Sequence, residues 1–242
     1  MDRILFILLF FAGLACSNSE NCLLMIEQPK PDFTTENVDS TLSYLALGDS
    51  YTIGESVTEN ERFPVQLTEQ LKGKGFRIKP AKIVARTGWT TDKLAEAIQN
   101  ESLEKSYNLV TLLIGVNNQY RGRSADEYRG EFRDLLKTAV ELANQQPQHV
   151  IVISIPDYGV TPFGKMRDSD KIAKEIDQFN AINMEESKQA NVRYVGITAI
   201  SREALNDETL VASDGLHPSG EMYRRWVEKI LTGAIEILEN QK

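Results

Sequence analysis

A buried-looking apolar run stops abruptly at Leu45-Ala46-Leu47-Gly48-Asp49-Ser50-Tyr51. Such a run reads as a strand whose carboxyl end delivers Ser50 into a turn, and in α/β sheets ligands bind outside the carboxyl ends of the strands. A serine there can act as a nucleophile if a base and a group to orient that base are available. The chain has two histidines. His149 precedes an apolar stretch, at what should be the wrong end of a strand. His217 lies in Asp214-Gly215-Leu216-His217-Pro218-Ser219, where Pro218 biases it towards an extended backbone and can itself open a helix. Asp214, three residues earlier, is close enough for one loop to supply both a base and its carboxylate. Two further turns, Arg86-Thr87-Gly88-Trp89 and Gly115-Val116-Asn117-Asn118, each follow an apolar segment.

The elements that must position these residues follow from periodicity. Strands are expected at Tyr44–Leu47, Lys82–Ala85, Asn108–Ile114, Val150–Ile155 and Val192–Val195. Helices are expected at Phe63–Lys72, stopped by Gly73 and Gly75, and at Thr91–Asn100. A third opens with the capping box Ser124-Ala125-Asp126-Glu127. Two more span about Asp168–Ala190 and Ser219–Glu239. Alternation of strand and helix predicts an α/β domain with a parallel sheet covered on both faces. No internal repeat or low-complexity tract is present.

The 242 residues suit one domain with an appendage, and the formal net charge of −8 argues against nucleic acid as a partner. Cys16 and Cys22 are the only cysteines, so the folded part has no disulfide framework or Cys-x-x-Cys metal pattern. Arg3 precedes the apolar run Ile4–Ala15. In a helix this would span about 18 Å, short of the roughly 30 Å hydrocarbon core, so it reads as a signal peptide. Gly13-Leu14-Ala15-Cys16 resembles a bacterial lipoprotein signal, although the usual leucine is one position late and Asp2 is unusual. The expectation is an exported protein attached to an envelope membrane through a lipidated Cys16, with simple secretion as the alternative. Residues 1–15 are then the signal, 16–41 a tether with Pro29 and Pro31, and 42–242 the catalytic domain. The apolar patch Cys22–Ile26 has no functional account.

Gly48-Asp49-Ser50, Gly88, Gly115-x-Asn117 and Asp214-x-x-His217, in that order and each after an expected strand or in the last loop, resemble the blocks of the SGNH hydrolases, or GDSL esterase/lipase family. The resemblance covers about Tyr44 to His217. It implies a flavodoxin-like three-layer α/β/α sandwich around a mainly five-stranded parallel sheet, with strands one, two and three adjacent at its middle. It also implies Ser50 as nucleophile, His217 as base, Asp214 as orienter, and an oxyanion hole from the Ser50 and Gly88 backbone N–H groups and the Asn117 amide. One departure stands out: Asn118 occupies a place where the family usually has aspartate, and on the resemblance alone Asn118→Asp is expected to be tolerated or to help.

Other chemistries fit poorly. Gly-x-Ser-x-Gly, a phosphate loop, a dinucleotide fingerprint and His-Glu-x-x-His are all missing, so no cofactor or metal is expected. Trp89 reads equally as a pocket wall or as core. Asp157, Tyr158 and Phe163 sit at the edge where substrate would bind, though an ordinary structured loop is the simpler reading. The reading is a serine hydrolase of small carboxylic esters, among which lysophospholipids, acyl thioesters, short-chain esters and acetylated sugars stay open. The contrasting reading is a non-catalytic glycan- or ligand-binding protein on the same fold.

Overall fold

The computed structural model describes residues 41–241. The signal reading of residues 1–15 and almost all of the tether reading of 16–41, Cys16 and Cys22 included, fall outside them. In chain order the elements are β1 (Tyr44–Gly48), α1 (Ser50–Ile53), α2 (Phe63–Gly73), β2 (Lys82–Ala85), α3 (Thr91–Asn100), β3 (Leu109–Leu113), α4 (Val116–Tyr120) and α5 (Ala125–Leu142). They continue with β4 (Val150–Ile153), α6 (Pro162–Lys165), α7 (Ser169–Gln189), β5 (Arg193–Val195), α8 (Thr198–Arg202) and α9 (Gly220–Glu239). The expected strands and long helices are all present. Periodicity gave no warning of the short helices α1, α4, α6 and α8, which hold too few residues to show a stripe.

The five strands are parallel, in the order β2-β1-β3-β4-β5. The step from β1 to β2 runs one way across the sheet and every later step runs the other. Right-handed crossovers therefore place α2 on one face and α3, α5 and α7 on the other. The packing agrees: α2 lies against α9, and α5 against both α3 and α7. The result is a three-layer sandwich. β2 is at the edge, not the middle as expected. Among the described residues it pairs only with β1, and its residues are mostly half-buried, whereas every residue of β1, β3 and β4 is buried. Leu45 and Leu47 in β1 and Leu109, Leu112 and Leu113 in β3 are fully excluded from solvent. Each such side chain contributes about 1.5–3 kcal/mol relative to exposure. The strand order reverses between β1 and β3, and the ends of these two strands lead into Ser50 and Asn117.

The three longest helices, α5, α7 and α9, are each started by a side chain that satisfies a free N–H. Ser124 Oγ accepts from Glu127 N at 3.2 Å to open α5, and Asp168 Oδ1 accepts from Lys171 N at 3.0 Å to open α7. Ser219 Oγ accepts from Met222 N at 3.3 Å to open α9. Pro218 lies outside that helix: Val211 and Pro218 form an antiparallel bridge that closes the loop carrying Asp214 and His217. α9 then buries Met222, Trp226, Ile230, Ala234 and Leu238.

Candidate active site

Ser50 is the first residue of α1, and the turn that delivers it is sterically fixed. A Cβ on Gly48 would stand 2.1 Å from Thr52 Oγ1 and 2.4 Å from the Leu113 carbonyl, so only glycine lets the strand turn this close to β3. Asp49 caps α1, its Oδ1 accepting from Tyr51 N at 3.0 Å. The rest of Asp49 is buried, with no partner for Oδ2 among the described residues. Burial pushes its carboxyl up to about 7, against the lowering effect of the Tyr51 N–H.

On the opposite lip, the loop between Val211 and Pro218 bends through Gly215, with φ +70°, and Ala212 N donates to the His217 carbonyl at 2.7 Å. Within it Asp214 is heavily committed. Oδ1 accepts from Leu216 N at 2.9 Å and His217 N at 3.0 Å; Oδ2 contacts His217 Nδ1 at 2.6 Å and accepts from Ser56 Oγ at 2.7 Å. Partial burial opposes ionisation of Asp214, but these bonds together outweigh it and hold the carboxyl well below the usual carboxylate range. A carboxylate at Nδ1 fixes that nitrogen as the N–H, which leaves Nε2 as the acceptor. The imidazole is buried, and Tyr51 meets it edge-on at 5.7 Å between ring centroids.

The remaining expected residues converge from the ends of β2 and β3. Gly88 has φ +82°, where glycine carries no penalty. Asn117 is the second residue of α4, not a turn residue, and its Nδ2 donates to the Trp89 carbonyl at 2.9 Å. Trp89 itself packs against the core and contributes to the site through its backbone. Arg121 Nη2 donates to the Gly88 carbonyl at 2.7 Å, so α4 and the residue after it hold the Gly88–Trp89 turn at two consecutive carbonyls.

Asn118 is fully buried. Its Oδ1 accepts from Thr91 N at 3.1 Å, while its Nδ2 donates to Thr91 Oγ1 at 2.6 Å and to Glu131 Oε2 at 3.2 Å. Thr91 also donates to Glu131, which Arg123 pairs at 3.2 Å. The amide thus meets a carboxylate. An aspartate at 118 would set two carboxylates face to face, so this environment argues against the tolerance expected for Asn118→Asp.

Ser50, Gly88, Asn117 and His217 line one cavity of about 200 Å³, whose other walls include Tyr120, Tyr158 and Phe163. Two of the three loop residues singled out after β4 therefore reach the cavity. Asp157 does not: it is buried and paired with Arg202 at 2.9 Å. A larger cavity of about 340 Å³ lies between α5 and α7 beside Arg133 and Glu186, and no serine or histidine lines it. His149 stands in the turn before β4, at the amino end of the sheet. Among the described residues no cluster of three or more His, Cys, Asp or Glu could hold a metal ion, and no helix is long and apolar enough to cross a membrane. Ser56, Tyr120, Arg121 and Glu131 were not foreseeable from the sequence. They are distant in the chain from the groups they touch and carry no motif.

No curated protein matches the chain in sequence. Among solved structures, TesA superposes with a TM-score of 0.65 at 16% identity, over 81% of this chain and 99% of that one. Axe2, an acetylxylan esterase from Geobacillus stearothermophilus, gives 0.64 at 18%, over 81% and 94%. The esterase EstA from Pseudoalteromonas sp. gives 0.60 at 15%, over 82% and 100%. At these identities the likeness establishes the fold. The GDSL-like lipase/acylhydrolase family model matches residues 46–225, from inside β1 into α9 and across every candidate residue, and the chain belongs to that family of ester hydrolases.

Proposed function

We propose that the protein is an exported carboxylic ester hydrolase working through Ser50, His217 and Asp214. The observation that carries this reading is the 2.6 Å contact of His217 Nδ1 with an ionised Asp214, with His217 and Ser50 on the wall of one cavity. His217 Nε2 takes the proton of Ser50 as Oγ attacks the acyl carbonyl, and Asp214 stabilises the imidazolium that forms. The backbone N–H groups of Ser50 and Gly88 and the second N–H of the Asn117 amide receive the charge on the tetrahedral oxygen. His217 returns its proton to the departing alkoxide, and water activated by the same histidine releases the acyl group.

The cavity of about 200 Å³ falls below the roughly 300–1,000 Å³ of pockets that enclose drug-sized ligands. It suits a short acyl group better than a long chain, and we favour short-chain esters, acetylated sugars included, over lysophospholipids. Fluorophosphonate labelling tests the chemistry. Label should appear on the wild type and vanish in Ser50→Ala, while Ser50→Ala, His217→Ala and the double variant should lose turnover by a similar factor, because the residues act as a unit. Additive losses would refute the pairing, and an unlabelled wild type would favour a binding protein on this fold. We also propose a lipid anchor at Cys16, motivated by Gly13-Leu14-Ala15-Cys16. The mature chain should then begin at Cys16 and partition into detergent, and an unmodified start further along would rule the anchor out.

A further inference from the structure

The chain is acidic overall, and arginines along its helices are matched by acids: Arg129 and Arg133 by Glu186, Arg202 by Asp157, Arg225 by Glu221. Two arginines at the cavity mouth are held differently. Arg167 lies with its guanidinium carbon 3.6 Å from the centroid of the Phe163 ring and 5.9 Å from that of Tyr120, and its Nη1 donates to the Phe163 carbonyl at 2.8 Å. Arg121 is bound to the Gly88 carbonyl. Neither forms an ion pair among the described residues. Acids near this lip are already engaged: Glu175 accepts from Gln119 at 2.7 Å, and Glu55 accepts from Thr87.

The supports of both arginines are themselves cavity walls, since Phe163, Tyr120 and Gly88 all line it. Tyr120 is 51% exposed, so its ring forms an open shelf at the entrance. A guanidinium stacked on an aromatic face keeps its charge and has its plane fixed, so the free edge offers N–H donors in a set direction. A fixed fork of this kind matches a carboxylate or phosphate. The cavity holds only a small group, so the larger part of a substrate lies outside it, and Tyr120 and Phe163 form one side of the opening.

We propose that Arg167, seated on Phe163 and Tyr120, is a specificity-determining residue that recognises an anionic group on the portion of the ester outside the cavity, with Arg121 adding to the positive field at the same opening. The substrate class is then a short ester carrying a carboxylate or phosphate. This rests on the esterase reading above.

Two matched pairs of esters test it. On the leaving-group side, 4-acetoxybenzoate is compared with its methyl ester; on the acyl side, the mono-4-nitrophenyl ester of glutaric acid is compared with 4-nitrophenyl valerate. The readout is the ratio of kcat/KM, anionic over neutral, in the purified full chain. One charge-assisted contact is worth about tenfold. The wild-type ratio should therefore exceed that of Arg167→Gln by about that factor in the arm that places its anion on the shelf, and should fall as salt is raised to about 1 M. Arg167→Lys, with charge but no flat stack, should lie between. Equal ratios for wild type and Arg167→Gln in both arms would overturn the anion site while leaving the esterase reading intact. Absence of Ser50-dependent turnover on all four esters would overturn both.

Discussion

Replacing Asn118 by aspartate separates what the family pattern suggests from what this environment allows. The site is fully buried, and the amide nitrogen lies 3.2 Å from Glu131 Oε2. A carboxylate oxygen in its place would repel Glu131 by about 5 kcal/mol at that separation with an effective dielectric of about 20. The fold can escape by keeping the new acid protonated. Holding a group of intrinsic pKa about 3.9 neutral at pH 7 costs about 4.2 kcal/mol, which caps the penalty. A protonated acid could donate to Glu131 and recover part of this, so Asn118→Asp should lose about 2–4 kcal/mol at pH 7. For a domain of this size that is roughly 5–15 °C in Tm. The sign with pH follows from a folded pKa raised above the unfolded one: the deficit is small below about pH 4, grows as pH rises through the raised pKa, and then levels. Thermal unfolding followed by circular dichroism from pH 4 to 8 reads this directly, and Glu131→Gln in the same chain should remove most of the pH dependence. A variant as stable as the wild type at pH 7, or one with a deficit independent of pH, would refute the reasoning.

Asn117→Ala should lower kcat by about 10²–10³ with little change in KM; a folded variant with near-normal kcat would return Asn117 to a purely structural role at the Trp89 carbonyl. Ser56→Gly, chosen because Ser56 has φ +63°, removes the hydroxyl that donates to Asp214 Oδ2 and should reduce kcat by up to about tenfold, the worth of one hydrogen bond to a charged group; an unchanged rate would make Ser56 incidental. Asp49, with its carboxyl pushed up to about 7 by burial, is disfavoured as a charge, so its own contribution to stability should slope downwards as pH rises from about 4 to 7. Asp49→Asn keeps an acceptor for Tyr51 N and should flatten that slope; parallel Tm-against-pH curves for the two proteins would count against a buried, titrating Asp49.

The strands, the long helices and the short list of candidate residues are legible along the chain, because these are local matters. Short apolar runs such as Leu109–Leu113, bounded by turn residues, read as buried strands, stripes such as Met222, Trp226 and Ile230 read as one face of a helix, and two histidines leave little choice of base. Gly48 and Gly88 were legible as turns, and their necessity lies in backbone approach and positive φ. Tertiary structure alone decided what joins those residues. That β2 lies at the edge depends on the order in which strands pair, which no local period encodes. Ser56 meets Asp214 across 158 positions, Arg121 meets Gly88 across 33, and Asn118 meets Thr91 across 27. Hydrogen bonds and ion pairs act over about 3 Å in space, so a serine, an arginine or a glutamate acquires its role from where the fold sets it, and its place in the chain carries no mark of that partner.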